Sequence, residues 1–142
     1  MRFLLDANIM RHYSERHPTL YLNLAKVAQP DLALSILTVI EMRRGRYDGV
    51  VKATPENFLQ QQERLLATEQ TIERFELAWF DAAAVREFQQ LRAQISTKKR
   101  RPDALLAAQA RAHRLIVVTR NTKDFADLLP ALQLQNWIDH IY

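Results

Sequence analysis

Arg2-Phe3-Leu4-Leu5-Asp6 is a short apolar run closed by an acid, the pattern of a parallel strand buried on both faces. Further runs read the same way. Leu32-Ala33-Leu34-Ser35-Ile36 follows the break at Gln29-Pro30, Phe75 to Phe80 alternates apolar with polar residues, and Leu115-Ile116-Val117-Val118 is the plainest strand in the chain. Helical patterns lie between them. Thr19 to Val27 follows Pro18, with Leu20, Leu24 and Val27 on one side. Thr38 and Glu41 stand at capping-box spacing, predicting a helix whose end holds Gly45 and Gly49, the only glycines. Pro55 opens a polar helix from Glu56 to about Thr71. Asp81 caps the next, where Val85, Phe88, Leu91 and Ile95 recur at helical spacing, and Pro102 starts another with Asp103 in its first turn. After Thr119 come a polar turn, Phe125, Leu128 and Leu129, and a last short segment around Leu132 to Trp137. Strands alternating with helices predict an α/β sandwich around a mainly parallel sheet, and such sheets bind ligands at the carboxyl ends of their strands.

With 142 residues, 48% of them hydrophobic and 25% charged, the chain reads as one domain, residues 1–142, with a real core rather than a disordered segment. No repeat, linker or low-complexity stretch divides it. No apolar run approaches the roughly 18 to 20 residues of a membrane helix, and Asp6 interrupts any apolar core of a signal peptide. The absence of cysteine excludes a disulfide framework and a thiolate zinc site, so a cytoplasmic protein is expected. A net charge of +4 favours anionic partners such as nucleic acid or an acidic protein.

Four acids stand where an apolar segment meets the next element: Asp6, Glu41, Asp103 and Asp124. In a parallel sheet Asp6, Glu41 and Asp124 share one edge, and a helix N-terminus brings Asp103 to it. Each acid alone reads first as a helix cap or a solvent-exposed residue, and only their shared position at strand ends favours a metal site. Together, carboxylates in one crevice repel unless a proton or a cation offsets them. Oxygen donors without sulfur suit Mg²⁺ or Mn²⁺, and such an ion activates water and steadies both oxygens of a phosphodiester displacement.

Phe3-Leu4-Leu5-Asp6-Ala7-Asn8-Ile9, Ser35-Ile36-Leu37-Thr38-Val39-Ile40-Glu41-Met42-Arg43-Arg44-Gly45, Pro102-Asp103-Ala104-Leu105-Leu106-Ala107-Ala108-Gln109-Ala110 and Ile116-Val117-Val118-Thr119-Arg120-Asn121-Thr122-Lys123-Asp124-Phe125, in that order, resemble the PIN-domain ribonucleases and, within them, VapC toxins of bacterial type II toxin–antitoxin modules. The resemblance implies a three-layer sandwich with helices on both faces of the sheet and a bacterial cytoplasmic endoribonuclease dependent on Mg²⁺ or Mn²⁺. Its RNA substrate would be tRNA or rRNA. It also implies a homodimer and a VapB-like antitoxin that blocks the site. Asp6, Glu41 and Asp103 match the family's three acids. The fourth acid position holds Asn121, with Asp124 three residues on, so Asp124 or a water replaces that ligand while Asn121 orients it. Ala7 stands where the family has Thr or Ser, and Lys98-Lys99-Arg100-Arg101-Pro102 where it has a glycine. Both read as tuning, since neither removes a ligand.

Lys98, Lys99, Arg100 and Arg101 adjoin Asp103 and are expected either to bind the RNA backbone or to form a solvated run. Arg43, Arg44 and Arg46 read first as an exposed helix face, and Thr119 as a residue that hydrogen-bonds a ligand carboxylate or simply ends a strand. His12, His17, His113 and His140 are too scattered for catalysis. Trp79 and Trp137 are expected in the core. The missing glycine-rich loop argues against a nucleotide-cofactor enzyme. Two other functions compete with the nuclease: a catalytically weak PIN-like domain that binds RNA or protein without cutting, and a Mg²⁺-binding signalling domain. The second leaves Glu41 without a role and lacks an acceptor Asp after a middle strand.

Overall fold

The computed structural model describes residues 1–96 and 98–142. Strands β1 (Phe3–Leu5), β2 (Leu32–Ser35), β3 (Glu76–Ala78), β4 (Ile116–Val118) and β5 (Leu134–Gln135) form one sheet in the order β3-β2-β1-β4-β5. Every pairing is parallel. Helices α1 (Ala7–Ser14), α2 (Pro18–Leu24), α3 (Ile36–Val51), α4 (Phe58–Ile72), α5 (Ala82–Gln94), α6 (Arg101–His113) and α7 (Thr122–Phe125) supply the connections and cover.

The alternation within each strand divides the core in two. Leu4, Ala33 and Val117 face one way and pack with Phe88 and Leu91 of α5, with Leu106, Ala107 and Ala110 of α6, and with Phe125 of α7. Phe3, Leu5, Leu32, Leu34 and Val118 face the other way, against Ile9 and Met10 of α1, Leu20 of α2, Val39 of α3 and Trp137. Successive side chains of a strand point to opposite faces, so a central strand feeds both layers, and the three-layer sandwich follows. The far end of the chain is tied to α2 by one buried amide. Asn23 donates to the carbonyls of Trp137 (3.3 Å) and His140 (2.7 Å) and accepts from the Tyr142 amide (2.8 Å).

Several elements differ from the sequence reading. Helix α1 was not foreseen. It starts because Asp6, ending β1, accepts the Ala7 amide on Oδ1 at 2.7 Å. Helix α2 stops at Leu24, so Val27 falls outside it. Helix α3 is capped by Ser35, whose Oγ accepts the Leu37 amide at 3.1 Å. Thr38 instead lies inside the helix and donates to the Leu5 carbonyl at 3.2 Å, which sets Glu41 in the second turn rather than at the third position. Gly45 lies inside α3, where a Cβ would meet nothing within 4 Å. Strand β3 keeps only three residues of the Phe75 to Phe80 run. The tail adds β5 to the sheet edge. Trp137 is buried as expected, but Trp79 is 67% exposed just past the end of β3, so its indole is not part of the core.

Candidate active site

The register of the sheet fixes the site. Leu5 pairs with Leu34 on one side and Val118 on the other, so the next residues, Asp6, Ser35 and Thr119, stand side by side at the carboxyl edge. Ser35 turns inward and donates to the Gln109 side chain at 2.6 Å. Asp6 is the centre. Its Oδ2 accepts the Asn8 amide and the Thr119 hydroxyl, both at 2.9 Å. The Asn8 side chain also donates to Thr119 Oγ1 at 3.0 Å and accepts the Arg120 backbone N–H at 3.1 Å, while the Asn121 backbone N–H donates to Thr119 Oγ1 at 3.1 Å. Thr119 has no exposed surface. It directly follows β4 and donates its hydroxyl to Asp6, so it is more than a plain strand-end residue.

Around this network lies a cleft of about 340 Å³, walled by Asp6, Glu41, Asp103, Asn121, Lys99 and Arg100. Asp103 comes from the first turn of α6 and Glu41 from α3. Their carboxyls are mutually unfavourable. Burial first, then Asp6 and Asp124, push Asp103 up to about 6. Burial also raises Asp6, held back by its hydrogen bonds from Thr119 and Ala7. Glu41 rises through partial burial and the charge of Asp6, with Arg11 and Arg44 opposing; as an exposed residue it is the one most screened by water. Asp124 is exposed on α7 and does not wall the cleft, yet its charge reaches both Asp6 and Asp103.

Oxygen-only donors in a crevice where each carboxylate raises the next suit a hard divalent cation, which would relieve that repulsion. The donor chemistry therefore fits such an ion. The spacing is looser: among the described residues no three His, Asp or Glu side chains are gathered closely enough to hold one.

The members of the basic run differ in their contacts. Arg100 is a bidentate partner of Asp127 at 2.7 and 2.6 Å and donates to the Asp124 carbonyl at 2.5 Å, clasping the entry of α6 to α7. Arg101 lies over the Phe88 ring, 5.3 Å from its centre. Lys98 and Lys99 are exposed. Of the other arginines, Arg43 is bidentate to Glu69 at 2.8 and 2.9 Å and Arg46 donates to Thr68 at 2.9 Å, so both bind α3 to α4 rather than forming an exposed face. The sequence reading overlooked Asn8 and Arg11. An asparagine two residues after a strand-ending acid was the available signal for Asn8, since such side chains hydrogen-bond locally. Nothing in the pattern singled out Arg11.

Among solved structures the fold is similar to DNA-bound VapBC from Salmonella typhimurium, with TM-score 0.77, 24% identity, and 96% of this chain and 98% of that chain covered. It is similar also to VapBC2 from Rickettsia felis bound to a promoter DNA fragment, with TM-score 0.68, 26% identity, and 96% and 99% covered. A curated relative, the tRNA(fMet)-specific endonuclease VapC of Shigella flexneri, is 28% identical over 142 residues, covering 96% of this chain and 98% of its own length. A parallel sheet that lines up acids from distant parts of the chain along one edge, and a PIN domain family match running from residue 3 to residue 128, lead to the same conclusion: the chain belongs to the PIN domain family.

Proposed function

We propose that this protein is the toxin of a type II toxin–antitoxin module, an endoribonuclease that uses Mg²⁺ or Mn²⁺ to cut RNA in the bacterial cytoplasm, with residues 1–142 acting as one unit. The observation that carries the reading is the single cleft walled by Asp6, Glu41, Asp103 and Asn121, whose carboxyls oppose one another's ionisation. Membership of the PIN family and likeness to a tRNA-cleaving relative and to toxin–antitoxin complexes support it. Among the described residues no helix is long and apolar enough to cross a membrane.

Asp6, Asp103 and Glu41, which stand too far apart here to hold an ion all at once, are the residues that would close on the metal, which supplies charge neutralisation and an activated water when bound. The protein's own share is positional. Thr119 and Asn8 fix Asp6 Oδ2, so that carboxylate is oriented before any ligand arrives. Asn121, whose backbone N–H is anchored on Thr119, walls the cleft and orients a water or phosphate oxygen, and Asp124 adds negative charge from the rim. Lys99 walls the cleft and, with Lys98, attracts the phosphate backbone, while Arg100 and Arg101 hold the α6 entry and present part of the same positive field. The substrate is tRNA or rRNA, and a VapB-like antitoxin covers the site. The exposed Tyr21, Leu22, Phe58, Leu59 and Leu66 provide apolar surface for a homodimer or for that partner.

Purified protein with bulk tRNA and rRNA should yield discrete fragments in Mg²⁺ or Mn²⁺ and none in chelator. Asp6→Asn and Asp103→Asn should each abolish cleavage with the fold intact by circular dichroism. Unchanged cleavage in either variant sinks the site assignment. RNA binding without cutting would favour the non-cleaving PIN-like domain, a reading supported by Ala7, by Asn121 and by the spread of the carboxylates.

A further inference from the structure

A second and larger cavity, of about 530 Å³, opens between α1, α3 and α4, within the roughly 300–1,000 Å³ typical of small-ligand sites. It adjoins the acid cleft, because Ala7, Arg11 and Glu41 wall both. Met10, Met42 and Ala67 give it an apolar part, and Arg11, Arg46 and Arg64 give it three positive charges against the one carboxylate of Glu41. The wall is braced in advance by the Arg43–Glu69 and Arg46–Thr68 hydrogen bonds. Arg11 and Arg64 form no ion pair among the described residues.

Building on the ribonuclease reading, we propose that this cavity seats one unpaired nucleotide of the RNA, next to the phosphate that lies over the acid cleft. The ligand must be flat and apolar on its faces to lie along Met10, Met42 and Ala67, and anionic at its edge to meet Arg11 and Arg64. A nucleotide has both properties. Sequence-specific RNA recognition works mainly on splayed, single-stranded bases rather than on duplex grooves, and a pit beside the cleft accepts only the former. Arg11 has the pivotal place. It belongs to both walls, so it meets the phosphate shared by the seated nucleotide and its neighbour at the acids. Charge complementarity and continuity with the acid cleft favour a nucleotide over a peptide as the occupant.

The test fills the cavity from α4, away from every candidate ligand. Ala67→Trp and Arg64→Ala are both at exposed positions and should fold. In an Asp6→Asn background, where binding is read without cleavage, fluorescence anisotropy follows a fluorescein-labelled single-stranded hexaribonucleotide of mixed sequence. Each variant should weaken its binding about tenfold, the size expected for one lost stack or phosphate contact. In the Asp6 protein, each should raise KM for RNA about tenfold and change kcat by less than about twofold. Unchanged RNA affinity and KM in both variants overturn the proposal. So does a loss confined to binding of a VapB-like antitoxin, which makes the cavity a peptide groove. If the wild-type chain cuts no RNA, yet filling the cavity still abolishes hexaribonucleotide binding, the nuclease reading fails and the nucleotide site stands.

Discussion

Replacing Asp103 by Asn should stabilise the metal-free protein at neutral pH, although it removes a candidate ligand. The ordinary carboxyl value of 3.8 is pushed to about 6 by burial and by Asp6 and Asp124. A carboxyl whose folded value is raised binds its proton more tightly in the folded state, so stability falls as pH rises from about 4 to about 6 and stays reduced above that. In full, that displacement corresponds to about 3 kcal/mol. Asp103 keeps partial contact with water, and screening leaves about 1–2 kcal/mol. Asparagine has the same shape and no charge, so it recovers that amount at pH 7.5 and nothing below about pH 4. For a chain of this size the gain at pH 7.5 amounts to about 3–6 °C in Tm. Urea melts in chelator at pH 7.5 and pH 4, compared with the wild type, measure both ends of the window. An Asp103→Asn protein less stable than wild type at pH 7.5, or equally displaced at both pH values, refutes the reasoning. Adding Mn²⁺ should raise the wild-type Tm and leave the variant's nearly unmoved, because binding to the folded state alone is what stabilises.

Thr119→Val should cost about 1–3 kcal/mol in stability and lower kcat, since it strips one donor from Asp6 and leaves the Asn8 and Asn121 amides short of an acceptor; equal melts and rates would show the hydroxyl to be idle. Lys98→Ala with Lys99→Ala should weaken RNA binding and flatten its salt dependence at an unchanged melting temperature, which titrations at two salt concentrations read directly. Arg100→Ala should lower stability by about 1 kcal/mol, and Asp127→Ala should add little to it in the double variant; additive losses would mean that the two do not act as a pair. Asn23→Ala should loosen the end of the chain, seen as faster amide exchange at Tyr142 and a loss of about 1–3 kcal/mol, and protection as strong as wild type would contradict the clasp.

The strands were legible because each is a burst of apolar residues with a polar stop, and an interior parallel strand has no other way to be written. Asp6 was legible for the same reason: a carboxylate directly after Leu5 has nowhere to go but the sheet edge. Local hydrogen-bond choices were less readable. Ser35 and Thr38 are both fair helix caps, and the decision fell to Thr38 having the Leu5 carbonyl within reach, a contact between residues 33 positions apart. Helix α1 buries only Ile9 and Met10, too short a stripe to reveal its period. The basic run looked uniform because sequence does not reveal that Asp127 waits one helix away for Arg100. Trp79 looked like core by type, yet it lies beyond the last paired residue of a three-residue strand, where no layer covers it.

The central position of β1 has a consequence for the order of events during synthesis. Strand β1 is flanked by partners that begin at residue 32 and residue 116, so its second edge stays open until β4 has been synthesised. Asp6 gains its Thr119 hydrogen bond only when β4 has docked, and Asp103 reaches the edge only with the helix just before it. The long loop closures this requires make that docking a late step. A nascent chain therefore carries Asp6 without the cleft to use it until Thr119 has emerged, and the cleft assembles only as β4 docks.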